Sequence, residues 1–182
     1  MSTEFNTIQK IKRRFFALRN GVIADYMRKS GAPYRIVFGL TLPQISEIAS
    51  EFGPDAGLAR ELRGNSSTRE SLLLAPMLMP PAELTQEEAT EWLEGAASAE
   101  VIDVLCLKLL KKLPFAPGIA QKMMKKEAPL ARYAALRLSF NLLPQDMDTA
   151  EEFARLELSR NEPLTRGVAR QLIDEIEFLK EG

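Results

Sequence analysis

The chain has 182 residues, 46% of them hydrophobic, and its 24 basic and 25 acidic side chains leave a net charge of −1, so it can bury one sizeable core, and any anion-binding surface must come from segregating charge. It has no histidine and a single cysteine, which excludes Ser-His-Asp, Cys-His and histidine-metal chemistry, an internal disulfide and a zinc knuckle. No apolar run nears the roughly 18 residues of a membrane span, and the N-terminal stretch MSTEFNTIQKIKRRFF is amphipathic without a signal-peptide core, so a soluble cytoplasmic protein with no metal or cofactor is expected.

In chain order, Phe5, Ile8, Ile11, Phe15 and Leu18 recur at three and four residues and predict a helix over 3–19, ended by Asn20-Gly21. Its basic cluster, Lys10, Lys12, Arg13 and Arg14, reads as a solvated face. A second helix through Ile23, Tyr26 and Met27 is broken by Ser30-Gly31-Ala32-Pro33. The following YRIVFGL is strand-like in composition but is expected to be a buried connector, because a lone strand would leave its backbone unpaired. Thr41 predicts an N-cap, with Pro43 in the first turn and Ile45, Ile48, Ala49 and Phe52 on the helix up to Gly53-Pro54. Helices over about 55–63 and 67–78 flank the loop Arg63-Gly64-Asn65-Ser66, and Pro80-Pro81 is a turn that closes this part of the chain.

Thr85 with Glu88 three residues on reads as a capping box, opening a helix with Ala89, Trp92 and Leu93, where Trp92 is expected in the core. The helix predicted over 98–113 is apolar on almost every side, which places it in the middle of an array, and Cys106 within it reads as a buried small hydrophobe. Helices over about 117–126, 129–143, 147–160 and 163–180 complete the chain. With no second alternating run, the fold class is all-α: about ten to twelve helices joined by short Pro and Gly turns, stacked as an α-solenoid in one domain over 1–182.

A repeat supports stacking. PLARYAALRLSFNLL from Pro129 returns as PLTRGVARQLIDEI from Pro163, and STRESLLLAPML from Ser67 is a looser copy. Arg132 and Arg166 are 34 residues apart, Asp103 lies 29 before Arg132, and Arg69 lies 34 before Asp103, a period suited to helix pairs. Tetratricopeptide repeats share the period but need a Trp, Gly, Tyr and Pro pattern that is missing. No Gly-rich phosphate loop occurs, and paired acids such as Glu151-Glu152 read as helix surface.

The strings YMRKSGAPYRIVFGLTLPQISEIASEF, ARELRGNSSTRESLLLAPML, SAEVIDVLCLKLL and PLARYAALRLSFNLL, in this order and spacing, resemble the DNA alkylation repair glycosylases built from HEAT-like helical repeats. The resemblance covers nearly the whole chain and rests on helix order rather than on a short diagnostic string. It implies a HEAT-like array, a catalytic Asp at Asp103, an Arg at Arg132, and tryptophans where this chain has Ala99 and Arg170. Branches of the family that bind DNA without excising bases fit the missing aromatic walls.

An N3- or N7-alkylated purine is already cationic and needs no general acid to leave, so one carboxylate suffices: Asp103 would stabilise the oxocarbenium ion and orient water. Arg132 would hold a phosphate or keep Asp103 ionised. The competing reading makes Asp103 and Arg132 structural, paired together or bonded to turn backbone. Binding DNA needs a cationic surface, for which the candidates are Lys108, Lys111, Lys112, Lys122, Lys125, Lys126, Arg137, Arg166 and Arg170. The expectation is a monomer that binds double-stranded DNA, with excision of alkylpurines as its activity. The alternative is a non-enzymatic scaffold holding DNA or a protein partner in a concave groove.

Overall fold

Side-chain caps open most of the α-helices of the computed structural model, which describes residues 6–182, although the α-helices at Arg69, Ala116, Pro129 and Met147 start without one. Among the described residues there are eleven α-helices, two 3-10 turns and no strand. The chain groups into two compact units, Met1–Leu84 and Thr85–Gly182.

In the first unit, α1 (Thr7–Ala17) opens on a reciprocal capping box between Asn6 and Gln9, each satisfying an amide that would otherwise be orphaned. Ile11 and Phe15 are its buried face; Phe5 and the predicted start at residue 3 lie outside the described residues. Asn20 caps α2 (Gly21–Lys29) through the amide of Ile23. Thr41 caps α3 (Leu42–Phe52) in a capping box with Gln44, with proline in the first turn as predicted, and Gly53 ends it at φ 65°. Asp55 caps α4 (Ala56–Gly64), and α5 (Arg69–Leu78) packs against both α3 and α4. A 3-10 turn over Pro81–Glu83 follows.

The segment between α2 and α3 is the expected buried connector, and its backbone is satisfied in an unusual way. Ile36 makes a single parallel bridge with Thr68, its amide bonding Ser67 O at 2.9 Å and its carbonyl accepting from Arg69 N at 3.1 Å. The amides of Phe38 and Gly39 then donate to the buried Glu70 carboxylate at 3.1 and 2.9 Å. Arg69 Nη1 bridges Glu70 at 2.8 Å and the carbonyl of Leu40 at 3.0 Å. A charged pair at the start of α5 thus replaces the neighbouring strand that this segment lacks.

In the second unit, Thr85 caps α6 (Gln86–Glu94) through the amide of Glu88, and Trp92 is buried as expected. Ser98 caps α7 (Ala99–Lys108). The helix predicted over 98–113 does not run that far: Leu109 leaves it at φ −128°, ψ −61°, and a 3-10 turn over Leu110–Lys112 follows. Leu109 and Leu110, at this break, are both fully buried. Then come α8 (Ala116–Met124), α9 (Pro129–Leu142), α10 (Met147–Arg160) and α11 (Pro163–Glu181). The hub is α9, which touches α6, α7, α8, α10 and α11. It is buried nearly all round, from Arg132 to Leu136 and at Leu138 and Ser139, and its alanines let neighbouring helices approach closely.

Candidate nucleic-acid interface

Asp103 lies in the middle of α7, facing α9, with its side chain 42% exposed. The residues that meet it are Tyr133 and Arg137, one turn apart on α9. The Tyr133 hydroxyl donates to Asp103 Oδ1 at 2.7 Å, and Arg137 Nη2 donates to the same hydroxyl at 3.3 Å. Arg137 Nε is 2.9 Å from Oδ1, but its N–H is not aimed at that oxygen, so the contact is an ion pair without a directed hydrogen bond. Its guanidinium also lies 5.7 Å from the Tyr133 ring centre and 5.6 Å from that of Phe140, within cation–π range. Both contacts to the carboxylate fall on Oδ1, so neither engages Oδ2.

The electrostatics follow from this packing. Burial, reinforced by the hydrogen bond to Asp103 and by its charge, pushes the Tyr133 phenol up to about 12 against the partial opposition of Arg137. For Arg137, burial works to lower the pKa, but the Tyr133 bond together with the charges of Tyr133 and Asp103 outweighs it and raises the net value. Cys106, fully buried one turn beyond Asp103, has its thiol pushed well up by burial and then by the Asp103 charge. It is the inert small hydrophobe expected, because the reactive species is the thiolate.

Arg132 is elsewhere. Its side chain is 9% exposed and its Nε donates to Glu157 Oε1 at 2.9 Å. Its Nη1 donates to the carbonyls of Glu127 and, at 3.3 Å, Lys126. Glu157, with no exposed side-chain surface, also accepts from Arg160 at 2.6 Å and, on Oε2, from Thr165 at 2.8 Å. Of the two structural alternatives, a pair with Asp103 does not form and a bond to turn backbone does: Arg132 ties α9 to α10 and to the preceding turn, and Arg137 is the arginine beside the carboxylate. Arg137 lies 34 residues after Asp103, one full period, whereas Arg132 lies only 29 after it. The period was the available signal for Arg137; Tyr133 had none beyond its place one turn earlier.

The remaining candidates are distributed over several elements. Lys108 is half-buried in the last turn of α7, and Lys111 and Lys112 are exposed on the 3-10 turn. Lys125 and Lys126 are exposed at the end of α8. Lys126 and Lys122 lie 3.1 and 3.7 Å from Glu94, and the Lys126 ammonium does most to hold that carboxyl below the usual range. Lys125 instead lines a cleft of about 430 Å³ between α8 and α10, with Met124, Phe153 and Leu156 as its apolar wall. Arg166 is exposed and donates to Asn161 Oδ1 at 3.2 Å, and Arg170 is exposed on α11. No aromatic ring stands at Ala99, the first residue of α7.

The all-helical element order and the likeness to a solved structure define the class: a HEAT-like helical-repeat fold. A solved structure described as "A new family of proteins related to the HEAT-like repeat DNA glycosylases with affinity for branched DNA structures" matches with a TM-score of 0.74 and 19% identity, covering 90% of this chain and 73% of that one. At that identity the likeness is one of fold. No protein-family model and no curated protein sequence matches the chain. No helix among the described residues is long and apolar enough to cross a membrane.

Proposed function

We propose that this chain binds DNA, branched DNA foremost, without excising bases. The observation that carries this reading is the fold match to a protein family with affinity for branched DNA structures. The geometry around Asp103 supports the non-excising form: Oδ1 is occupied by Tyr133 and Arg137, and alanine stands where the resemblance places an aromatic wall. An enzyme that holds a nucleotide out of the stack needs surfaces to grip the base. Exposed Lys111, Lys112, Lys125, Arg166 and Arg170 supply phosphate contacts, which give most of the sequence-independent affinity.

A second reading is favoured by the 42% exposure of Asp103 and its disengaged Oδ2. That oxygen would orient water toward C1′ of a cationic alkylpurine nucleotide, the glycosidic bond breaking with its electron pair passing to the purine nitrogen while the water oxygen bonds to C1′ and gives its proton to the carboxylate. One pair of measurements separates the two readings. Wild-type protein is expected to retain a four-way junction over a blunt duplex in a mobility-shift assay and to release no base from methylated duplex DNA. Release that disappears in Asp103→Asn would establish the enzyme instead, and retention of neither DNA would remove the DNA-binding reading.

A further inference from the structure

The neutral total charge of this chain conceals a strongly basic segment. Residues 10–35 hold eight lysines and arginines against a single acid, Asp25, so this segment carries +7 and the rest of the chain −8, together making the total of −1. Arg14 is engaged by Glu51 at 2.9 Å, Arg28 by Asp25 at 2.8 Å, and Arg19 by the carbonyl of Phe16 at 2.8 Å. Lys10, Lys12, Lys29 and Arg35 are exposed.

The same segment presents rings to solvent. Phe16 is 58% exposed on α1, and Tyr26 is 72% and Val22 82% exposed on α2. Spacing puts each ring on one face with cations: Lys12 and Arg13 lie one turn before Phe16, and Lys29 one turn after Tyr26. Arg19 sits 3.8 Å over the Phe16 ring centre and covers one π-face, while the ring as a whole stands outside the core. The apolar stripe of α1, Ile11 and Phe15, is already spent in the core of its unit. What remains outside on α1 is a single ring among cations, not the broad apolar face with which an amphipathic helix enters a lipid interface.

We infer that the outer faces of α1 and α2 bind an unpaired stretch of nucleic acid, its phosphates against the cations and its bases against Phe16 and Tyr26. Aromatic platforms on a cationic surface are how single strands are held without sequence preference, since every base has a π-face. The inference rests on the reading of the chain as a DNA-binding protein and specifies which structural feature of a branched DNA is recognised: its unpaired or unstacked nucleotides.

The test compares a forked duplex with single-stranded arms, a blunt duplex of equal length and a mixed-sequence single strand, by fluorescence anisotropy with the full chain. Phe16→Ala and Tyr26→Ala remove exposed rings, so the fold survives both. Each is expected to weaken fork and single-strand binding by roughly 5- to 100-fold while leaving the blunt duplex unchanged. Lys12→Glu with Arg13→Glu is expected to weaken all three DNAs, the fork most. Ring variants that bind the fork as tightly as the wild type would overturn this inference alone. Wild-type protein that binds none of the DNAs would overturn the DNA-binding reading and this inference with it. Flotation with phosphatidylglycerol vesicles that is lost in Phe16→Ala, without any change in fork binding, would assign the face to a membrane surface instead.

Discussion

Arg132 and Arg137 stand on the same helix within one and a half turns of each other, yet their surroundings make them opposite kinds of residue. Arg132 is sealed against Glu157, which has no exposed surface and takes hydrogen bonds from three side chains. Removing one partner of such a pair leaves a desolvated charge with no compensation, so Glu157→Ala is expected to cost about 3–5 kcal/mol in urea unfolding. Asp103 and Arg137 are 42% and 20% exposed, and solvent screens their attraction, so Asp103→Asn is expected to cost under about 1 kcal/mol. A stability loss for Asp103→Asn as large as that for Glu157→Ala would make the Asp103 cluster a structural tie like the other. The sequence could show that an acid at 103 and arginines at 132 and 137 share one stretch of helical repeat. It could not show which arginine turns toward the acid, because the partner of Arg132 lies 25 residues downstream on another helix and nothing local to Glu157 marks it as buried.

At the scale of elements, the connector before α3 is where side-chain charge substitutes for secondary structure. The turn works only because Gly39 takes φ +78°; a Cβ there would meet Asn20 O at 2.4 Å and Ala24 N at 2.9 Å, both backbone. Gly39→Ala therefore strains the backbone and pushes the start of α2 away, and is expected to destabilise the protein by ~3 kcal/mol. Hydrogen exchange checks the mechanism: the amides of Phe38 and Gly39, bonded to Glu70, should lose protection first in this variant. Loss of protection spread evenly over all helices would argue against a local clash. Helix boundaries were legible wherever a short polar residue or a proline punctuates the chain, as at Thr41, Thr85, Ser98, Pro129 and Pro163. The end of α7 was not, because VLCLKLL is apolar straight through the break and the next prolines come only at 114 and 117.

For the molecule as a whole, binding DNA with a net charge of −1 depends on where the charges are, and the ionic-strength dependence of binding counts the ones that reach phosphate. If about six cations do so, fork affinity should fall about a thousandfold between roughly 50 and 200 mM salt. The two units can then be weighed separately. Lys111→Glu with Lys112→Glu alters the 3-10 turn of the second unit, where both side chains are exposed. If both contact phosphate, the slope of log affinity against log salt should shrink by about two units, with blunt and forked DNA affected equally. The ring variants of α1 and α2, by contrast, should leave that slope unchanged while lowering the affinity for the fork, because stacking releases no counterions. A loss of slope from the lysines of the second unit and a loss of fork affinity at constant slope from the rings of the first would separate phosphate contact from base stacking. Fork binding that hardly responds to salt would mean that the exposed lysines and arginines are only solvated surface, and DNA would cease to be the partner that this charge distribution fits.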